Sequence, residues 1–551
     1  MKRMNYLLLL VLTSAFCSCN GGVGETATDD VVIDTLALHA HLSILASDEF
    51  MGRKPFTEGE EKTVNYLQSE LQRMGLAPGN DSSYFQEVPL VEIIGEQSPA
   101  MTVETESGTL SFKTNDDVVV YSERPEALLS IEESPLVFAG YGIVAPEFGW
   151  NDYEGLDVTG KTVIVLVNDP GFGSGDSTLF KGDVMTYYGR WTYKYEEAAR
   201  QGAAGVLIVH ETAPAGYGWQ VIQSSWTGAK LNLDEENPPY KCPIQGWIKR
   251  SAVVQLFQEA GIKNYGALAR SPEFKPIEMN MTASAFVKNT IKRNVSRNVV
   301  AMVEGSERPD EYIIYSAHWD HLGVGEPVDG DSIYNGALDN ASGTTGLLSI
   351  AEAFANKKKR PERSVVFLFV TAEEQGLLGS AYYGNNPIYP PNQTVANINI
   401  DGLRGYGEMK DLTITGYGQS ELDDYAAAEA KKQGRYIMPD PDPSKGYFFR
   451  SDHFNFAKVG IPALYASGQY ESKEKGVDYV QEKTTDYLTV RYHRQADNYD
   501  AEEWDLKGIA LDALLLYRVG NRLANETYFP QWREGSEFKG KRDADMSLKK
   551  K

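Results

Sequence analysis

Seven residues able to bind a metal or move a proton stand out in the second half of the chain by their places in its sequence: His318, Asp320, Asp339, Glu373, Glu374, Asp401 and His493. His318 and Asp320 follow the apolar run EYIIYSA, Glu373 and Glu374 follow SVVFLFVTA, and Asp401 follows VANINI. Asp339 stands just before a helical stretch in GALDNASG, and His493 lies in RYHRQADNYD. In open α/β sheets, ligands gather at the carboxyl ends of strands. Each residue alone has an ordinary reading. Asp339 could cap its helix, Asp401-Gly402 could be turn chemistry, and Glu373-Glu374 could start a helix whose N-terminus favours anions. His318 could be a buried, hydrogen-bonded imidazole. Together those readings weaken, because a carboxylate ending a buried strand is costly unless it meets a cation or water.

The elements that must position these groups follow from periodicity. From Asn298, the runs VVAMVEG, EYIIYSAHWD, SVVFLFVTAEE and VANINIDG read as successive strands, the last three buried on both faces. A helix over Ser342–Ala355 connects the second to the third, so a largely parallel sheet covered by helices is expected. Upstream, Val64, Leu67, Leu71 and Met74 share one helical face, and Gly75 ends that helix. Gln86 to Phe112 alternates as strands do. YEEAARQGAAG running into VLIVH predicts another α/β unit, Gly216 to Pro243 reads as loop, and the charged end after Gln531 reads as solvated.

The set HWDHLG, GALDNASG, TAEEQGLLGS, NINIDG and YHRQAD, in this order, resembles the co-catalytic zinc exopeptidases of the bacterial aminopeptidase and glutamate carboxypeptidase superfamily. The resemblance implies a three-layer αβα domain with a mainly parallel mixed sheet, spread over 35–124 and 276–530. It also implies an inserted β-rich protease-associated domain over 125–275, carried by GWNDYEGLDVTGKTVIVLV and AARQGAAGVLIVH, and a charged tail over 531–551. It implies two zinc ions per subunit, one held by His318, Asp339 and Asp401, the other by Asp339, Glu374 and His493, with Asp339 shared. Imidazole and carboxylate donors without thiolate suit zinc. Glu373 would be the general base, Asp320 the carboxylate that fixes the ring of His318, and Tyr492 a stabiliser of the oxyanion. Asp497 would be structural, while His321 and His453 would sit beside the ligands without being ligands. His39, His41 and His210 read as surface or packing residues.

Composition narrows the function classes. The chain has 551 residues and a net charge of −24, and a surface this negative disfavours nucleic acid as a partner. Lys2 and Arg3, the apolar stretch Tyr6–Leu12 and the small residues after it read as an export signal over 1–19. Phe16-Cys17-Ser18-Cys19 resembles a bacterial lipobox with Cys19 as the lipidated residue, and 20–34 then forms a tether. The expected location is a membrane-anchored lipoprotein, periplasmic or at the cell surface, with the anchor as its only membrane contact. Cys242 is left alone in the body of the chain, so no internal disulfide is expected there. The expected substrates are peptides. Carboxylates crowd the proposed centre and can hold a free α-ammonium, which points to an aminopeptidase. Arg450, beside Ser451-Asp452-His453, keeps a carboxypeptidase as the alternative, with a glutaminyl cyclase or an inactive binding protein further behind.

Overall fold

The computed structural model describes residues 31–226, 228–235 and 240–549. The expected export signal, its two cysteines and most of the expected tether lie outside the described residues. The chain opens with α1 (Thr35–Leu45) and α2 (Glu58–Arg73). In α2 the side chain of Thr57 accepts the N–H of Gly59, and Val64, Leu67 and Leu71 are buried on the expected face.

A lobe then forms around β1 (Phe85–Gln97), β2 (Val118–Tyr121), β3 (Leu128–Phe138), β4 (Thr162–Leu166), α3 (Trp191–Arg200), β5 (Gly205–His210), β6 (Ile244–Lys249) and α4 (Arg250–Glu259). Strands β3, β4, β5 and β6 pair in parallel in that order, and β2 closes the edge antiparallel to β6. Side chains alternate across this sheet. Ile164, Leu207 and Val209 pack with Leu256 and Phe257 of α4, whereas Val163, Val206 and Ile208 pack with Tyr195 and Ala198 of α3. The core of the lobe also takes Met101, Val103, Phe112 and Val118, which precede residue 125. Cys242 is a free, buried thiol here.

The next strand, β7 (Ile277–Val303), has 27 residues and borders both halves of the molecule. Its first part pairs with β3, its middle with β1, and its end with β9 (Arg363–Val370), which follows β8 (Arg308–His318) and α5 (Ser342–Ala355) in the chain. The second half is completed by α6 (Leu378–Asn385), β10 (Thr394–Asn399), α7 (His453–Lys458), β11 (Ala463–Ser467) and α8 (Lys507–Asn525). Its order is β7-β9-β8-β10-β11, with β9, β8, β10 and β11 mutually parallel and β7 antiparallel. All eight residues of β9 are buried, because helices cover both faces. On one face Tyr315 and Phe367 meet Phe354 of α5, which packs on Tyr517 of α8. On the other, Ile314, Val366 and Leu368 meet Tyr383 of α6 and Phe456 of α7. This is the expected αβα arrangement with a mainly parallel mixed sheet.

Two stretches differ from expectation. Gly216–Pro243 contains a helix, Trp219–Ser225, and a strand, Ala229–Leu233, that pairs with β1. The chain end is not fully solvated: Arg542 is buried and donates to the carbonyls of Pro391 and Thr394, beside Trp532 and Phe538. Charge alone misled here, because a buried guanidinium can satisfy itself on backbone carbonyls. No helix among the described residues is long and apolar enough to cross a membrane.

Candidate metal centre

The topology brings five distant segments to the carboxyl edge of the parallel strands. His318 is the last residue of β8, opposite Val370 of β9, and Thr344 of α5 donates its hydroxyl to the His318 carbonyl at 2.7 Å. Asp339 sits in the turn that precedes α5. The N–H groups of Leu338 and Asp339 donate to the carboxylate of Asp497 at 3.1 to 3.2 Å. Gly336, at φ +55°, allows the turn to lie against its surroundings. A Cβ there would stand 2.3 Å from the carbonyl oxygen of Asp339 and 2.5 Å from the ring of His321. Asp401 follows β10 and is fixed twice, by the Ser451 hydroxyl at 2.6 Å on its carboxylate and by the Tyr465 hydroxyl at 3.1 Å on its carbonyl.

These residues converge on two adjoining points. Nε2 of His318 lies 3.2 Å from Oδ1 of Asp339 and 3.4 Å from Oδ1 of Asp401. Nε2 of His493 lies 3.2 Å from Oδ2 of Asp339 and 3.0 Å from Oε2 of Glu374. All five sequence-predicted ligand residues are therefore together, and one carboxylate faces both histidines. Glu373 reaches the first point, with a carboxylate oxygen within 4.8 Å of ligand atoms of His318 and Asp401.

The donor set fits a cation. Nε2 of His318 is buried beside two carboxylate oxygens, yet it is in hydrogen-bond alignment with neither. A ring nitrogen and carboxylates aimed at a common point, rather than at one another, is the arrangement an ion requires. The electrostatics agree. Burial drives the Glu373 carboxyl well above the usual range; Glu374, Asp401 and Asp452 add to this, while His318 opposes it. Burial works against a charged His318, but Glu373, Asp339 and Asp401 outweigh it and raise its pKa. Burial opposes the charged His493 too, and Asp339 and Glu374 overcome it, lifting that imidazole to about 10.

The surrounding residues explain the orientation. The carboxylate of Asp320 accepts the N–H of Glu373 at 3.0 Å and that of Glu374 at 3.4 Å. Nδ1 of His318 lies 3.2 Å from the carbonyl of Asp320 and 3.7 Å from its carboxylate, so the ring is steered by the backbone and the carboxylate serves the Glu373 loop. His321 is 2.5 Å from Oε1 of Glu374 through Nδ1, which fixes the carboxylate whose other oxygen faces His493. The ring of Tyr492 stacks on that of His493 at 3.8 Å between centroids. His453 is buried against Phe448 and Tyr465 and meets none of the ligand groups.

Arg53 escapes sequence reasoning altogether. Its guanidinium is buried and donates to the carbonyls of Leu45, Trp319, Asn335 and Gly336 at 2.6 to 2.9 Å. It thereby ties the segment after β8 to the turn bearing Asp339, and it places a positive charge behind Asp320, Asp497 and Asp339. A lone arginine in LASDEFMGRK gives no pattern from which that role could be read. His321 did leave a signal, being a second imidazole three residues after His318.

Residues 298–517 match the model of peptidase family M28, so the resemblance carried by the five motifs is to that family. A probable zinc metalloprotease of Leptosphaeria maculans is 26% identical over 217 residues, covering 38% of this chain and 49% of the relative. A probable glutamate carboxypeptidase of Arabidopsis thaliana is 25% identical over 424 residues, covering 71% of this chain and 53% of the relative. A probable leucine aminopeptidase 2 of Aspergillus fumigatus is 23% identical, covering 80% and 73%. The chain thus spans about half the length of the first two of these relatives. Among solved structures, the aminopeptidase from Aneurinibacillus sp. strain AM-1 aligns over 90% of this chain and 95% of its own, with a TM-score of 0.45 and 17% identity.

Proposed function

We propose that this chain is a two-zinc exopeptidase that releases the N-terminal residue of peptides, with Glu373 as its general base. One observation carries the reading: the two oxygens of Asp339 each stand 3.2 Å from a different histidine, as a carboxylate shared by two ions must. His318 and Asp401 complete one set of ligands, and Glu374 and His493 the other. Zinc at such a site acts as a Lewis acid and lets water serve as a nucleophile at neutral pH.

The chain's own residues do the rest. Glu373 takes the proton of the attacking water and passes it to the departing amine; its position beside His318 and Asp401 supports this role. Asp320 holds the backbone of Glu373 in place through its N–H. Tyr492 offers a hydroxyl to the developing oxyanion, from a ring held against His493. Carboxylates of the centre hold the substrate's α-ammonium. A peptide in free and N-acetylated forms tests the direction: acetylation removes the ammonium and should abolish cleavage. Continued cleavage of the acetylated form refutes an N-terminal exopeptidase. It would favour the second reading, a carboxypeptidase, which Arg450 supports by lining the same cavity as Glu373 and His493. The signal and Cys19 support export and lipid anchoring, and the parallel α/β arrangement within 125–275 supports the reading of a protease-associated insert there.

A further inference from the structure

A cavity of about 650 Å³ lies between the metal-bearing half and the lobe. Pockets of roughly 300–1,000 Å³ hold ligands the size of a few residues. Glu373, Glu374, Tyr492 and His493 line one wall. Gly228 and the four successive residues Lys230, Leu231, Asn232 and Leu233 line another. Successive side chains of a strand point to opposite faces. Four in a row can therefore meet one cavity only if the strand turns its edge toward it, and not a face.

The register of the pairing leaves that edge free. The strand Ala229–Leu233 pairs antiparallel with β1, Leu231 opposite Glu92 and Leu233 opposite Leu90. In such a ladder the residues that exchange bonds alternate. The N–H of Asp234 donates to the carbonyl of Pro89 at 3.0 Å, so Asn232 and Lys230 are the residues that bond β1. Leu231 then turns its N–H and C=O the other way. Leu233 does the same, and its carbonyl accepts the N–H of Glu235 at 3.1 Å. Among the described residues, nothing pairs with the Leu231 N–H and C=O or with the Leu233 N–H. Folds commonly cover or blunt an open edge, whereas this one opens into the cavity. Side chains hold it there: Leu231 and Leu233 pack with Leu90, Ala372 and Leu378, which flank the segment carrying Glu373.

The sheet also gives the edge an inner and an outer end. Leu90 lies toward the part of β1 where Phe85 pairs with Val299, and Val299 pairs with Phe369 of β9, the strand that leads to Glu373. Leu233 is thus the inner end and Ala229 the outer end. We infer that this free edge binds the substrate as an added β-strand, holding the backbone beyond the scissile bond by hydrogen bonds to Leu231 and Leu233. The inference rests on the peptidase reading for the kind of ligand. With its N-terminus at the metal centre, the substrate runs outward from Leu233 toward Ala229, antiparallel to the strand. Main-chain bonds of this kind supply affinity for an extended chain whatever its side chains. At about 3.3 Å per residue, the edge from Leu233 to Ala229 is matched by a peptide of about five residues and is barely reached by a dipeptide.

The test uses the zinc-loaded full chain with dialanine, pentaalanine, N-acetylpentaalanine, and pentaalanine N-methylated singly at its third, fourth or fifth residue. Loss of one hydrogen bond corresponds to a change of about 2- to 10-fold. Pentaalanine should therefore exceed dialanine in kcat/KM by at least that factor, mainly through KM. Methylation removes one donor and should cost about 2- to 10-fold at alternate residues only, because every second residue of an added strand faces its partner. Leu231→Pro deletes the outward N–H and spares the bonds to β1, so it should bring the ratio of penta- to dialanine close to one. Leu231→Val keeps that N–H and should keep the ratio. Calorimetric binding of pentaalanine and its N-methyl forms to the Glu373→Gln protein gives the same comparison without turnover. Equal handling of di- and pentaalanine by the wild type overturns the added strand, as do equal losses from methylation at successive residues. A wild-type dimer that Leu231→Pro abolishes also overturns it, by giving the edge to a second copy. Cleavage confined to N-acetylated peptides, with the alternating pattern intact, would leave the edge standing and refute the N-terminal reading instead.

Discussion

The carboxylate of Asp320 accepts the backbone N–H of Glu373 at 3.0 Å, although the two residues are 53 positions apart. Asp320 follows β8 and Glu373 follows β9, so this bond locks two neighbouring parallel strands together where they leave the sheet. The proposed base is therefore carried on the same framework as the ligand His318. The bond fixes the backbone from which the Glu373 side chain extends.

Asp339 is the ligand shared by both points, and Asp339→Asn should lower occupancy at both. Elemental analysis of purified protein should give two zinc ions per chain in the wild type and fewer than one in the variant. One ion in a fully active wild type would rule out the shared-carboxylate scheme.

Glu373 and Glu374 are adjacent but should fail differently. Glu373→Gln should retain its metal and lose about 10²- to 10⁴-fold in kcat, the usual contribution of general base action. Glu374→Gln should lose metal first. Measuring bound zinc and kcat in both variants separates the roles, and exchanged phenotypes would reverse the assignment.

His321 holds Glu374 by a single contact at 2.5 Å. Replacing such an outer partner typically costs about 10- to 100-fold in metal affinity. His321→Ala should show that loss in a chelator competition, with His321→Gln intermediate. Unchanged affinity would mean that Glu374 is fixed by His493 alone.

His453 gives a pH signature unrelated to the metal. Burial pushes its imidazole from 6.5 down to about 3. As pH falls below 6.5 the unfolded chain takes up a proton that the folded chain refuses until about pH 3. Stability is thus present above 6.5 and is lost across that interval, at up to about 1.4 kcal/mol per pH unit. Urea unfolding of wild type and His453→Gln from pH 7 to 4 should show a shallower decline in the variant. Parallel curves would show that the imidazole titrates alike in both states.

Metabolic labelling with a fatty-acid probe should mark the wild type and not Cys19→Ser. Label that survives Cys19→Ser but disappears in Cys17→Ser would move the anchor two residues upstream.

The parallel sheet and the set of candidate ligands were legible because both leave local signals. Short apolar runs rich in β-branched and aromatic residues, such as VVFLFV, read as strands buried on both faces, and ionisable groups ending three of them stand out against that background. The supporting residues were not legible, since their meaning lies in contacts between distant segments. Arg53 works by reaching carbonyls at 319, 335 and 336. Gly216–Pro243 read as loop because its Gly, Pro and aromatic residues hide a short strand added at the edge of β1. The tail misled for the opposite reason: its charges are plain, but Arg542 is folded in among backbone carbonyls.

The 27-residue strand β7 is hydrogen-bonded along one part to the lobe and along another to the catalytic sheet. A flap that opens and shuts needs a hinge of a few pliable residues, whereas here the connection is a paired ribbon, braced further by β1 across 287–299. The same ribbon is therefore shared by both sheets, and a break in its pairing would be felt on both sides.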